Sequence, residues 1–195
     1  MMEQAVWSAV RWVGLEHVTL RREASGIGLD GFAVVVLENT PWRVHYTIDC
    51  RPDWSVTRMQ VQCNDRQVAL TSATLGVWEA DIPGLDTEPL QGCVDVDLAV
   101  SPSTNTLPVR RLRLDPGETH ELDVVYVEFP TLHLRPARQR YTRLPDVGGH
   151  PCYRYASGAF QVEFVVDAAG LVRDYPGVWH RHALPPSSDR GGIES

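Results

Sequence analysis

The sequence has few of the features that announce a protein class. No stretch approaches the roughly 18 consecutive apolar residues that a membrane-spanning helix needs. The opening residues, MMEQAVWSAVRWVGLEH, lack a basic start followed by an apolar run. That argues against a secretory leader and makes the cytoplasm the expected location. Cys50, Cys63, Cys93 and Cys152 form no CxxC pair and no ligand-like spacing. They read as small buried apolar residues in a reducing compartment. Lysine is absent, all 18 basic residues being arginine, a compositional bias with no functional reading of its own. The net charge of −7 argues against nucleic acid as a partner, since phosphate binding needs a concentrated basic surface. A chain of 195 residues fits one domain that buries its core without metal or disulfide.

Long helical periodicity is also missing; alternation with period two takes its place. In WRVHYTIDC, Trp42, Val44, Tyr46, Ile48 and Cys50 share one face, while Arg43, His45, Thr47 and Asp49 share the other. The turn text RPDW follows, and SVTRMQVQC alternates in the same way. Pairing Cys50 with Ser55 sets Ile48 opposite Thr57 and Tyr46 opposite Met59, with both apolar rows on one side. FQVEFVVDAAGLVRDYPG reads as two strands joined by Asp167 to Gly170, and HELDVVYVEF as another strand stopped before Pro130. Shorter strands are expected at GFAVVVL, RQVALTS, LHLRP and CYRYA, and a short helix near ARQRYTRL. The fold class that follows is mainly β: a single-domain curved antiparallel sheet over residues 1–183, forming a roll or incomplete barrel. The polar, Pro/Gly/Ser-rich residues 184–195 are expected to fray.

The stretch GCVDVDLAVSPSTNTLPVRRLRL, Gly92 to Leu114, is the least ordinary. A hairpin of Val94–Val100 with Pro108–Leu114 would pair Asp97 with Arg111 and Asp95 with Arg113. One side is then apolar and the other carries opposite charges in alternation. Such a face is either a solvated ladder, each exposed pair contributing about 0.2–1 kcal/mol, or the wall of a groove that binds sugar hydroxyls or a phosphate. Arg110 falls on the apolar face, as a residue that snorkels to the rim or anchors a head group.

These blocks give the chain its resemblance to a bacterial family named for "putative glycolipid-binding", formerly a domain of unknown function. The resemblance runs from about Trp12 to Arg181. It rests on GLEH, VHYTIDCRPDWSVTR, LQGCVDVDLAVSPSTNTLPVRRLRL, QRYTRL, YRYASGAFQVEF and VDAAGLVRDYPGVW. It implies a curved, roll-like antiparallel sheet similar in shape to the incomplete barrels of bacterial lipoprotein carriers. It brings no catalytic residue with it.

Chemistry read from the residues points the same way. Arginines opposite Asp95 and Asp97 would keep both carboxyls ionised and lower their pKa, the wrong direction for a general acid. There is no GxSxG around Ser25 or Ser157, and GIGLDG lacks a βαβ context. His180 and His182 alone are too few to hold a metal, so no metal or cofactor is expected. The preferred reading is a non-catalytic cavity for a glycolipid or other amphiphile, with no transmembrane segment and no nucleic acid. Its polar contacts are assigned to Arg58, Asp95, Asp97, Asn105, Arg110, Arg111, His17 and Tyr141. Tryptophans and tyrosines would supply apolar area with a polar tip. The alternatives are a sugar- or lipid-derivative hydrolase using the Asp95/Asp97–Arg cluster, and an interaction module whose interior is filled by its own side chains.

Overall fold

Alternation of buried and exposed residues runs through almost the whole chain and builds one continuous sheet. The computed structural model describes residues 1–184; the tail expected to fray therefore lies, apart from Leu184, outside the described residues. The first half is a meander of seven strands: β1 (Met2–Ala9), β2 (Val13–Glu23), β3 (Gly26–Leu37), β4 (Thr40–Cys50), β5 (Val56–Cys63), β6 (Arg66–Thr74) and β7 (Val77–Ala80). The second half contains β8 (Asp95–Leu98), the helix α1 (Thr106–Leu112), β9 (Thr119–Val127), β10 (Leu134–Val147), β11 (His150–Ser157), β12 (Phe160–Val166), β13 (Val172–Tyr175) and β14 (Trp179–His182). β1 pairs with β14, so the halves join into a 14-stranded sheet, ordered β7-β6-β5-β4-β3-β2-β1-β14-β13-β12-β11-β10-β9-β8. The sheet curves but does not close into a barrel.

The expected apolar row of β4 faces the interior: Val44, Tyr46, Ile48 and Cys50 are buried. The β4–β5 hairpin forms two residues away from the anticipated register, with Ile48 opposite Met59 and Tyr46 opposite Val61. The loop is one residue longer than expected, since Cys50 pairs with Val56, and a one-residue bulge between Asp49 and Cys50 supplies the rest, which leaves the facial split intact. Trp7 is fully buried, and its indole N–H donates to the Val172 carbonyl at 3.0 Å, which ties β1 to β13 across the joined halves. Burial of such a ring contributes about 1.5–3 kcal/mol.

Two local expectations are overturned. ARQRYTRL is part of β10, because Ala137, Gln139, Tyr141 and Arg143 alternate inward against β9 and β11. The Val94–Val100/Pro108–Leu114 hairpin does not form. β8 instead lies parallel to β9, a departure from the antiparallel pattern that requires a crossover. The crossover carries the polar text inward: Val100 to Val109 are all buried. This plug turns through Ser103–Asn105 and continues as α1, where Pro108 sits in the first helical turn and needs no N–H partner. Arg113, left-handed at φ 51°, ends the helix. Short polar residues enter the core here because the side chains of Ser101, Ser103, Thr104 and Asn105 find partners inside it, Thr106 Oγ1 being the exception.

Candidate functional site

At one end of the second half, the β1–β2, β13–β14, β11–β12 and β9–β10 connections converge on the exit of β8 and the plug. They enclose a cleft of about 410 Å³. Its aromatic wall includes Trp12, Tyr126, Tyr155, Phe160, Tyr175 and Trp179. Trp12 meets Trp179 edge-on at 5.5 Å, and Phe160 meets Tyr155 at 6.1 Å and Tyr175 at 6.3 Å. Phe160 remains 43% exposed, marking the mouth, while Tyr155 and Trp179 are buried.

Asp97 is the acidic group of this cleft. Its Oδ1 accepts from the Thr104 hydroxyl at 2.9 Å and its Oδ2 from the Gln139 amide at 2.6 Å. The plug supplies the first donor and β10 the second, so the carboxylate is fixed from both sides. Burial nevertheless outweighs these bonds and pushes its pKa above the ordinary aspartate value. Asn105, also in the wall, accepts from the Tyr141 hydroxyl at 2.9 Å and donates to the Pro102 carbonyl at 3.2 Å. Two arginines complete the lining. Arg135 stacks over Tyr126 at 4.6 Å and pairs with Glu128 at 2.8 Å. Arg11, exposed on the β1–β2 turn, reaches over the β13–β14 turn beside Gly177.

Behind Ser101, another lining residue, lies a second polar centre. Glu16 Oε1 accepts from the Tyr46 hydroxyl at 2.5 Å and from the Ser101 hydroxyl at 2.5 Å, and Ser103 Oγ lies 2.6 Å from the Tyr46 hydroxyl. Glu16 is fully buried, and its Oε2 has no hydrogen-bond partner among the described residues. Burial raises its pKa from 4.5 to about 7 despite the two donors. Gly31, opposite Tyr46, gives the ring its place: a Cβ there would stand 1.9 Å from Tyr46 Cζ.

The residues picked from the sequence divide into groups. Asp97 and Asn105 line the cleft, with Tyr141 bonded directly behind them. Asp95 is buried in a bidentate pair with Arg111, Nε to Oδ1 at 3.1 Å and Nη2 to Oδ2 at 2.8 Å. The expected Asp97–Arg111 and Asp95–Arg113 pairs are not made, because Arg111 arrives on a helix and not on a strand. Nor are the two carboxyls lowered in pKa: burial raises both, outweighing Arg111 at Asp95. Arg110 lies over Trp54 at 5.4 Å and donates to the Ala168 carbonyl at 3.3 Å. Arg58 is exposed on the outer face beside Asp81, and His17 is exposed on β2. Trp12, Tyr155 and Trp179 of the wall are among the tryptophans and tyrosines expected to serve binding, whereas Glu16, Arg11, Arg135, Tyr126, Phe160 and Tyr175 are not singled out by the sequence. Glu16 alone left a clear signal, since it shares strand parity with the inward Val18 and Leu20.

Residues 4–181 match a family described as "Putative glycolipid-binding". The chain belongs to this family. A crystal structure at 1.80 Å of a DUF1089 family protein from Pseudomonas aeruginosa superposes with a TM-score of 0.72 at 31% sequence identity. The match covers 87% of this chain and 92% of that one. No curated protein matches the chain. No helix among the described residues of this family member is long and apolar enough to cross a membrane.

Proposed function

We infer that this family member takes the hydroxyl-rich head of an amphiphile, such as a glycolipid, into the cleft at the exit of β8 and leaves the acyl part outside. The observation that carries the reading is Asp97: an acceptor fixed by Thr104 and Gln139 within an aromatic wall. Aromatic faces pack against the C–H faces of a sugar ring, and a fixed carboxylate accepts from its hydroxyls. The volume of about 410 Å³ lies at the low end of the roughly 300–1,000 Å³ usual for small-molecule sites, which suits a head group better than a whole lipid. The plug also argues for this orientation, because Val100 to Val109 occupy the interior that an acyl chain would otherwise enter. Phe160, exposed at the mouth, offers the start of the tail an apolar contact.

A hydrolytic role for Asp95 and Asp97 is less well supported. Glycoside cleavage by a carboxyl pair needs both groups facing one substrate, and Asp95 is committed to Arg111. The four described cysteines are buried and unpaired, in keeping with a reducing compartment. Native mass spectrometry with octyl glucoside, dodecyl maltoside and a sugar-free alkyl alcohol tests the reading. One-to-one adducts with the two glycosides and none with the alcohol are expected. Absence of any glycoside adduct, together with an unchanged melting temperature, overturns it.

A further inference from the structure

We propose that the amphiphile's head carries an anion, a phosphate attached to the sugar or polyol, which Arg11 and Arg135 hold at the mouth of the cleft. The inference rests on the head-group reading above. The charged residues lining the cleft are these two arginines and Asp97. With Glu128 paired to Arg135 the opening is balanced in charge, and so less repulsive to an anion than a chain of net charge −7 is as a whole. The two guanidinium groups come from different sides: Arg11 from the β1–β2 turn, Arg135 from the start of β10.

Their surroundings differ in an informative way. Arg135 is held by Glu128 and the Tyr126 ring, which orients its fork while leaving part of it unused. Arg11 pairs with no acidic group among the described residues. Gly177, left-handed at φ 73°, leaves room for it: a Cβ there would lie 3.2 Å from Arg11 Nη2. Two arginine forks at a partly enclosed mouth match the tetrahedral oxygens of a phosphate, which accept several N–H groups at once. Asp97, fixed by Thr104 and Gln139, belongs to β8, whereas Arg11 and Arg135 come from the β1–β2 turn and the start of β10. Hydroxyls are thereby assigned to the carboxylate end and the phosphate to the arginine end.

The phosphate could reach the site on a lipid or on a soluble sugar phosphate, and the test separates the two. Inositol, glycerophosphoinositol and phosphatidylinositol in phosphatidylcholine vesicles are titrated into the full chain and into Arg11→Gln. Calorimetry reads the soluble probes and co-sedimentation the vesicles. Glycerophosphoinositol is expected to bind at least about tenfold more tightly than inositol, with Arg11→Gln removing that advantage. The advantage is expected to shrink as salt is added. A further gain with phosphatidylinositol assigns the site to a lipid; equal affinity for the free head assigns it to a soluble phosphate. Equal binding of inositol and glycerophosphoinositol overturns the phosphate while leaving the head-group reading in place, as does an Arg11→Gln effect common to both. No binding of these probes, with no adduct to the alkyl glycosides either, overturns both.

Discussion

Glu16 and Ser101 are 85 residues apart in the chain, yet a 2.5 Å hydrogen bond joins them. The bond fastens the plug to β2 inside the sheet, and it makes the fold sensitive to the ionisation of one carboxyl. Folding raises the Glu16 pKa from 4.5 to about 7, so between those values the folded state binds more protons than the unfolded chain. Stability is therefore greatest on the acid side and falls as pH rises through that window, by about 3 kcal/mol for this group alone. Asp95 and Asp97 are shifted in the same direction, so the contribution must be isolated by difference. Glu16→Gln keeps an acceptor for Tyr46 and Ser101 but cannot ionise. Chemical denaturation of wild type and variant across this range should show the gap changing in favour of the variant as pH rises. Parallel curves would refute the assignment.

Gly31 is the second fixed point of the same region. Replacing it with alanine drives a Cβ into the Tyr46 ring at 1.9 Å, and Tyr46 is held by Glu16, Ser101 and Ser103. Overpacking of this kind costs about 1–3 kcal/mol, more where neighbours cannot shift. The same substitution in a Tyr46→Ala background should cost markedly less. A double-mutant cycle by urea denaturation is the measurement, and the absence of coupling between the two sites would contradict the geometry.

How much of this was legible in the sequence depends on the kind of segment. The strands were legible because one face is buried: the rows through Tyr46 and Ile48 fix which side is inward even though a longer loop and the bulge at Cys50 together move the register by two. The Asp167–Gly170 turn was legible because its chemistry is local; Gly170 sits at φ 90° and Asp167 Oδ1 accepts from the Ala169 and Leu171 N–H groups. The plug was not, because SPSTNTLPV resembles a solvated loop unless its partners are known. Those partners, Glu16, Asp97 and Tyr141, come from distant strands. α1 is hidden for a related reason: Thr106, Leu107, Pro108 and Val109 are all buried, so no amphipathic stripe advertises the helix. His17 drew attention as the conspicuous member of GLEH, whereas parity turns it outward and Glu16 inward.

The Asp95–Arg111 pair makes a separate prediction about stability. Asp95 is almost wholly buried, and the arginine that neutralises it arrives from α1. Arg111→Ala strands a carboxylate in the interior, a change that costs about 3–5 kcal/mol for buried pairs. Asp95→Asn combined with Arg111→Met removes both charges and should recover a large part of that loss. Thermal melts of the single and the double variant distinguish a structural pair from a binding residue: Arg111→Ala should lower the melting temperature with octyl glucoside absent or present. A variant with wild-type stability and lost binding would instead place Arg111 in the site.

Asp97→Asn should behave in the opposite manner. The asparagine amide occupies the same space, and the donor conflict it creates is relieved if the Gln139 amide turns over, since Tyr141 keeps Asn105 as its acceptor. Stability should therefore change little. Binding of octyl glucoside should weaken about tenfold or more, because a charged acceptor for the sugar hydroxyls is lost, an interaction of about 1.5–3 kcal/mol. Wild-type binding should also weaken on acidification, at a higher pH than an ordinary aspartate would give, because burial raises the Asp97 pKa and its protonated form is the poorer acceptor. The Asn variant should show no such step. Titration calorimetry at several pH values, with a melt recorded for each sample, measures both effects. Undiminished affinity in a folded Asp97→Asn protein would remove the carboxylate from the site and with it the reason for placing a polyol head at this end of the sheet.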